Sequence, residues 1–208
     1  ADGVPIFCGI DFGLTPACVF AQRIRNRWVV FDELVAEDMG IVKFSDLMKQ
    51  VMAQYLPREF VIFGDPAGDH RVQTDESTPF QIMRGKGIYA RPAPSNDVTL
   101  RLESVSSVLN RMVDGESGII IDNKCNNLIK GFAGGYHYRR LQVSGERYDE
   151  KPNKNRFSHV HDALQYLLLG AGEGRALTIG KKTNKPVVAK RNFNVFDVKP
   201  KSVYERRR

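Results

Sequence analysis

Three aspartates lie in the sequence where their carboxylates could act together. Asp11 stands inside the glycine-bounded run GIDFG, Asp65 follows an apolar run, and Asp162 lies near the start of the last apolar, helix-like segment. Hard divalent cations take oxygen ligands, and proteins typically hold Mg²⁺ with a few carboxylates plus water and substrate phosphate. Two such ions, roughly 3.5–4 Å apart, can activate a water and stabilise the leaving oxygen in phosphodiester hydrolysis. The residue types therefore suit metal-dependent hydrolysis if the fold brings the three together.

Each aspartate also has an ordinary structural explanation. Asp11 could form a turn before Gly13, and Asp162 could complement a helix N-terminus. Asp65 could make an Asx-turn before Pro66. For one aspartate alone these explanations are as good as a metal site, so the site is favoured only because three such acids occur together.

The elements that must position these acids begin with three strands and a helix. Apolar and β-branched runs at residues 4–11, 17–24 and 28–35 are separated by turn-type residues, and short connections make such strands antiparallel neighbours. Over residues 44–56, apolar side chains recur at steps of three and four residues, which predicts an amphipathic helix that Pro57 ends. The first strand ends at the first of the three acids.

Strands and helices alternate in the rest of the chain, which implies parallel crossovers. In order, the sequence predicts a buried strand at residues 60–63, a helix from Thr78 to about Arg84, a strand at 88–91, a helix opened by Asp97, a strand at 118–122, a helix ending at Gly134-Gly135, a hairpin over 136–143 and the residues around Tyr148, and a last helix capped by Ser158. The second acid follows the 60–63 strand, and the third falls in the first turn of the last helix.

This order of elements is typical of a ribonuclease H-like domain. The sequence therefore predicts the α/β class, with a mixed sheet of three antiparallel strands followed by parallel β-α units, flanked by helices. In that fold the fourth strand lies beside the first, and the last long helix crosses the sheet with its start near both. Asp11, Asp65 and Asp162 are then expected to converge.

Three motifs carry a resemblance to a known family. Taken alone, GIDFGLT at residues 9–15 resembles the first phosphate loop of actin-like ATPases and sugar kinases, which share this strand topology. FGDPAG at 63–68 and SHVHDAL at 158–164, however, resemble the second and final motifs of bacteriophage large-terminase nucleases, and GIDFG resembles their first. The match spans about residues 4–172 in order and spacing, so the chain resembles the C-terminal nuclease domain of a tailed-bacteriophage large terminase subunit.

The resemblance implies a metal-dependent endonuclease that cuts double-stranded concatemeric viral DNA during packaging, with little sequence specificity. It implies two ions, Mg²⁺ or Mn²⁺, with Asp11 shared by both and with Asp65 and Asp162 each completing one site. Its implied partners are double-stranded DNA, a small terminase subunit and a portal, in the cytoplasm of an infected bacterium and without a membrane. The family's N-terminal packaging ATPase has no counterpart in these residues, so we expect an isolated nuclease domain or a fragment made as one.

Three further polar residues near the motifs are candidates for an assisting role. His159 shares a helix face with Asp162 and could touch a metal-bound water or the scissile phosphate, although a hydrogen bond near the helix start is the simpler expectation. Asp69 could assist a metal site or simply solvate its loop. Asp122 ends a strand and is expected to cap the helix that follows, with a place in the site as the alternative.

Basic residues surround the predicted hairpin. Arg139, Arg140, Lys154 and Arg156 could make the phosphate contacts that give sequence-independent DNA affinity. A solvated hairpin whose acidic residues balance part of the charge is the alternative. Their position just before the last acidic motif favours DNA.

The charge of the chain is concentrated at one end. The 208 residues carry a formal charge of +7, but residues 175–208 hold 11 basic and 2 acidic side chains, which leaves 20 basic and 22 acidic in residues 1–174. We therefore predict a near-neutral nuclease domain over residues 1–174 and a flexible basic tail over 175–208 that docks to a portal or tethers DNA. Three scattered cysteines exclude a disulfide framework, and no apolar stretch approaches the roughly 20 residues that a membrane helix needs.

Three other functions remain open from the sequence. A junction-resolving nuclease of the same fold would cut four-way junctions in preference to linear duplex. An actin-like nucleotide-binding module would need a duplicated core, for which 208 residues leave little room. A non-enzymatic basic DNA-binding protein would hold no metal between the three aspartates.

Overall fold

The computed structural model describes three stretches of the chain, residues 1–69, 77–140 and 148–174. The predicted basic tail, 175–208, lies outside them, and so does part of the predicted hairpin, 141–147. Within these stretches no helix is both long and apolar enough to cross a membrane. All three cysteines are buried and unpaired, as expected for a chain without a disulfide framework.

Three antiparallel strands form one half of the main sheet, as the sequence predicts. They are β1 (Ile6–Asp11), β2 (Ala17–Ile24) and β3 (Arg27–Val35), and β2 pairs antiparallel with both neighbours. Between β2 and β3, Arg25 and Asn26 both have positive φ, 47° and 70°, which a two-residue type I′ hairpin requires.

Shorter strands alternate with helices in the rest of the described chain. In order, the elements are α1 (Ile41–Ala53), β4 (Phe60–Gly64), a 3₁₀ turn (Pro66–Asp69), α2 (Pro79–Gly85), β5 (Ala90–Pro92), α3 (Val98–Leu109), β6 (Met112–Val113), β7 (Glu116–Ser117), β8 (Ile119–Ile121), α4 (Asn126–Lys130), a π-helical turn (Gly131–Gly135), β9 (Tyr138–Arg140), β10 (Tyr148–Pro152) and α5 (Ser158–Gly170).

The main sheet has the strand order β5-β4-β1-β2-β3-β8. β4 pairs parallel with both β1 and β5, and β8 pairs parallel with β3 at the other edge. Of these six described strands, β2 alone runs against the others. β9 and β10 pair antiparallel, so the predicted hairpin is also present. The predicted class, a mixed α/β sheet that is antiparallel and then parallel, is confirmed.

The two faces of the sheet bury separate cores. On one face, Cys8 and Ile10 of β1 pack with Phe44 and Met48 of α1. On the other face, Leu164 belongs to a core shared by β2, β3, β8, α3, α4 and α5. Because side chains alternate along a strand, the last residue of β1 points to this second face, where α5 lies.

A glycine in β1 allows α5 to lie directly on the sheet. A Cβ added at Gly9 would lie 2.0 Å from the carbonyl oxygen of Ala163 and 2.7 Å from Cβ of Leu167. Only a residue without a side chain tolerates this approach. The contact places the start of α5, and with it Asp162, beside the C-terminal end of β1.

Helix ends differ from the prediction in two places. α1 begins at Ile41 with Gly40 as its N-cap and ends at Ala53, because the chain already turns before Pro57 is reached. Ser158 does not cap α5 but is its first helical residue; its hydroxyl donates to the carbonyl of Asn155 at 2.7 Å. Asp162 therefore lies in the second turn of α5 rather than the first.

The N-terminus of α4 is capped by a residue distant in sequence, which corrects the role expected for Asp122. The N-cap position is Cys125, whose side chain makes no cap hydrogen bond. The Glu33 carboxylate of β3 instead accepts from the backbone N–H groups of Asn127 and Leu128, at 2.7 and 3.0 Å. Asp122 forms only a local turn. By contrast, the predicted caps Thr78 and Asp97 are confirmed.

Candidate active site

The structure brings the three aspartates to one end of the sheet. Asp11 is the last residue of β1, and Asp65 directly follows the neighbouring parallel strand β4, where its N–H donates to Ile10 at 3.0 Å. Asp162 approaches from α5 on the face to which Asp11 points. Because β1 and β4 are parallel neighbours and α5 packs on β1, all three acids lie at the same end of the sheet.

Asp11 is buried and is contacted by a histidine. Nδ1 of His159 lies 2.9 Å from Oδ2 of Asp11, and because a carboxylate only accepts, Nδ1 carries the hydrogen. Burial raises the pKa of Asp11, and the charge of Asp162 raises it further, while the His159 hydrogen bond and the charge of Lys154 act against this. The pKa of Asp11 is raised overall, because the nearby positive charge and hydrogen bond do not offset the effect of burial on this carboxylate.

Asp162 binds two basic side chains, one on each oxygen. Oδ1 accepts from Nη1 of Arg101 at 3.1 Å, and Oδ2 accepts from Nζ of Lys154. The side chains of Arg101 and Asp162 are 7% and 4% exposed, whereas that of Lys154 is 69% exposed. The Arg101 pair is therefore enclosed in the protein, and the Lys154 pair lies at the surface.

Sequence reasoning missed Arg101. Arg101 lies on α3 at helical spacing from the buried residues Ser104, Val105 and Val108. Because arginine in a helix normally faces water, the predicted apolar face of this helix did not include it. The available signal was that spacing: an arginine at a buried position needs a carboxylate partner.

Asp65 forms the Asx-turn considered for it. Its Oδ1 accepts from the N–H of Ala67 at 2.8 Å, which is the Asx-turn expected before Pro66. Its side chain is half-buried, and its loop is held against β1 by the ring of Phe12. A Cβ at Gly64 or Gly68 would lie 2.8 or 2.4 Å from that ring, which explains the two glycines of the FGDPAG motif.

The carboxylates are paired with basic groups in a way that suits a cation site. Among the described residues, no three His, Cys, Asp or Glu side chains are grouped closely enough to hold a metal ion. His159 instead lies on Asp11, and Arg101 and Lys154 lie on Asp162. Carboxylate oxygens are the donors that Mg²⁺ and Mn²⁺ prefer, so these residue types suit such an ion. In the described structure, however, Lys154 holds Oδ2 of Asp162.

His161 has a structural role. Its ring stacks on Tyr136, with centroids 4.7 Å apart, and a Cβ at Gly131 would lie 1.9 Å from its Nε2. Burial lowers the pKa of His161 to about 4, so the ring is neutral near pH 7. It helps to hold the π-helical turn against α5.

The four basic residues predicted to bind DNA are not gathered at the acids. Arg139 and Arg140 are exposed on β9, and Arg139 lies 3.4 Å from Asp149. The guanidinium of Arg156 lies over the ring of its neighbour Phe157. Of the four, Lys154 alone contacts an acid of the site in the described chain. The side chain of Asp69 lies outside the described part of the structure.

A six-stranded mixed sheet with acids at the end of β1, after β4 and on the last helix is consistent with a ribonuclease H-like domain. Solved structures similar to this chain include bacteriophage large terminases and their nuclease domains. The large terminase of one thermophilic bacteriophage is similar with a TM-score of 0.61 and 17% identity, covering 79% of this chain and 39% of that one. The g2p (large terminase) nuclease domain of bacteriophage SPP1 with bound Mn has a TM-score of 0.52 and 18% identity, covering 78% and 84%. The large terminase nuclease of thermophilic phage G20c with bound magnesium has a TM-score of 0.52 and 11% identity, covering 83% of each chain.

The chain spans about two fifths of the first of these terminases but most of the two nuclease domains. No protein-family model matches the sequence, and no curated protein does. The fold predicted from the motifs, that of a large-terminase nuclease domain, is confirmed.

Proposed function

We propose that this chain is the metal-dependent DNA endonuclease domain of a viral packaging terminase. The observation that supports this most is the placement of Asp11, Asp65 and Asp162 at one end of the sheet, in a fold similar to that of terminase nuclease domains. The proposal includes the packaging context of such enzymes in an infected cell: a packaging ATPase, a small terminase subunit, a portal and concatemeric double-stranded DNA.

The three aspartates are the proposed ligands of two Mg²⁺ or Mn²⁺ ions, with Asp11 shared. Divalent ions held there would activate the attacking water and stabilise the leaving 3′ oxygen. His159 donates from Nδ1 to Oδ2 of Asp11, which fixes the orientation of that carboxylate.

Lys154 is proposed to move from Asp162 to a DNA phosphate. Its ammonium is exposed, so the exchange of one anionic oxygen for another costs little. Residues 1–174 carry a slight negative charge, and bound cations are therefore needed before a phosphate approaches. Arg139 and Arg140 on the exposed hairpin can then contact the phosphate backbone of DNA without recognising its base sequence.

Plasmid nicking in the presence of Mn²⁺ tests the proposal. Wild-type protein should convert supercoiled plasmid to open-circular and linear forms, and EDTA should stop it. Asp11→Asn, which keeps the shape but loses the charge, should fall to the EDTA background. Asp46→Asn is the matched control, because Asp46 pairs with Lys86 at an exposed place on α1.

Nicking by Asp11→Asn at the wild-type rate would rule out the proposed site. A four-way junction and a linear duplex of equal length should be cut at similar rates. Strong preference for the junction would assign the chain to the resolving nucleases instead.

A further inference from the structure

We infer that Arg101 is a positioning residue for Asp162: it holds Oδ1, so that Oδ2 is the oxygen this carboxylate presents to a divalent cation. The inference rests on the proposed function, in which Asp162 is a metal ligand. Two observations carry it, namely the enclosure of the Arg101 pair and the different partners of the two carboxylate oxygens.

The Arg101–Asp162 pair is enclosed where an ion pair brings little stability. Both side chains are almost fully buried between α3 and α5. Taking two charges out of water costs about as much as their attraction returns, and replacing such a pair by apolar residues is often neutral or stabilising. The Nε of Arg101 is also buried and has no hydrogen-bond partner among the described residues. Packing alone therefore does not explain an arginine at this position.

The guanidinium is fixed on a second side by Tyr166. Its central carbon lies 4.8 Å from the centre of the Tyr166 ring, one helical turn after Asp162 on α5. The Tyr166 hydroxyl donates to Asn96, just before α3, at 2.8 Å. Arg101 is therefore held between the ring and the carboxylate and cannot follow a ligand out of the site.

The two oxygens of Asp162 differ in what their partners can do. Oδ1 is held by Arg101, which is enclosed, and Oδ2 is held by Lys154, which is exposed and lies in the loop after β10. One partner is permanent and the other is exchangeable. Asp162 is thus oriented for a single, defined oxygen to accept a metal ion.

Mn²⁺ binding measured by calorimetry, without DNA, tests the inference. Loss of a residue that orients a metal ligand typically weakens metal binding by about 10- to 100-fold. Arg101→Met should raise the Kd for Mn²⁺ by about 10-fold or more. Arg101→Lys, which keeps the charge but loses the fixed fork, should also raise it. Arg58→Met is the control, because Arg58 forms its ion pair with Asp2, away from the acids, and the Kd should not change.

The two Arg101 variants separate positioning from charge. If Arg101 only repelled the ion, Arg101→Met would bind Mn²⁺ more tightly and Arg101→Lys would match wild type, which would overturn the inference. A thermal melt shows which variants fold. If Arg101→Met does not, Arg101→Lys decides the matter, and a Kd equal to that of wild type would count against positioning.

Asp162→Asn distinguishes failure of the inference from failure of the proposed function. Wild-type protein that binds no Mn²⁺ would overturn both. Mn²⁺ binding that Asp162→Asn weakens but Arg101→Met and Arg101→Lys leave unchanged would overturn the positioning role alone. When the two act as a unit, Arg101→Met should cause no further loss in the Asp162→Asn background.

Discussion

At the scale of residues, the basic side chains on Asp11 and Asp162 occupy positions where the proposed site would bind a metal ion. Asp11 and Asp162 are buried and close enough to repel each other, and each has a basic side chain on it. Of these partners, Lys154 is the most exposed. In the proposed site it would compete with a metal ion for Oδ2 of Asp162.

Removal of the Lys154 ammonium should therefore have opposite effects on metal and DNA. Lys154→Met should tighten Mn²⁺ binding, because it removes the cation that holds Oδ2 of Asp162, a carboxylate whose side chain is only 4% exposed. It should also reduce the slope of log K for DNA against log salt by about one, as expected for a lost phosphate contact. Calorimetry and a fluorescence titration at several salt concentrations measure the two quantities.

Lys151→Met provides the comparison, because Lys151 is exposed on the same hairpin. It should leave Mn²⁺ binding unchanged. An Mn²⁺ affinity that is equal in wild type and Lys154→Met would show that the lysine does not compete for the site.

Strand ends and helical periodicity were enough to predict that Asp11, Asp65 and Asp162 lie at one end of the sheet, with His159 beside them. One partner of Asp162 was not predicted. Arg101 was not found, because its burial depends on α3 packing against α5, which no local pattern encodes.

At the scale of elements, the contact between β1 and α5 determines where Asp162 lies relative to Asp11. It depends on Gly9, where the α5 backbone takes the space of a side chain. The same motif contains a second glycine, Gly13, at which an added Cβ would meet nothing within 4 Å. Close packing against α5 therefore explains the glycine at position 9 and does not explain the glycine at position 13.

Gly9→Ala and Gly13→Ala make a matched pair. Gly9→Ala should lower the free energy of unfolding by about 1–3 kcal/mol or more, as overpacking does, because α5 must move off β1. Gly13→Ala should change it by less than about 0.5 kcal/mol. Urea denaturation followed by circular dichroism measures both, and equal stabilities would refute the close-contact explanation.

Element order was predictable because hydrophobic periodicity and turn residues are local. The caps at Thr78 and Asp97 follow the same logic, since each side chain accepts from a nearby backbone N–H. One error arose where a long-range partner replaced a local one, because α4 is capped by Glu33 of β3. The other was local, because Ser158 bonds back to Asn155 instead of capping α5.

At the scale of the molecule, Glu173 joins segments that are far apart in sequence. Its carboxylate accepts from Nε1 of Trp28 on β3 at 2.8 Å and from Arg111, which follows α3. Burial alone would raise the pKa of Glu173, but the hydrogen bonds from Arg111 and Trp28 and the charges of Arg111 and Arg23 outweigh it, and the pKa is lowered.

A lowered carboxyl pKa gives stability that is present above the unfolded value and is lost as the pH falls through the folded value. Glu173→Gln should therefore unfold at a lower urea concentration than wild type at pH 7, and the difference should shrink below about pH 4.5. Urea denaturation from pH 7 to pH 3 measures it. Glu37→Gln, at an exposed position, should match wild type throughout, and a Glu173→Gln difference as large at pH 3 as at pH 7 would contradict a lowered pKa.

The ligands of the proposed site come from opposite ends of the described fold, Asp11 from the first strand and Asp162 from the last helix. A chain still being synthesised, or one clipped before α5, would hold two of the three acids and no completed site. Under the proposed function, cutting would begin only when the last helix packs on the first strand, so that DNA cleavage would require the completed fold.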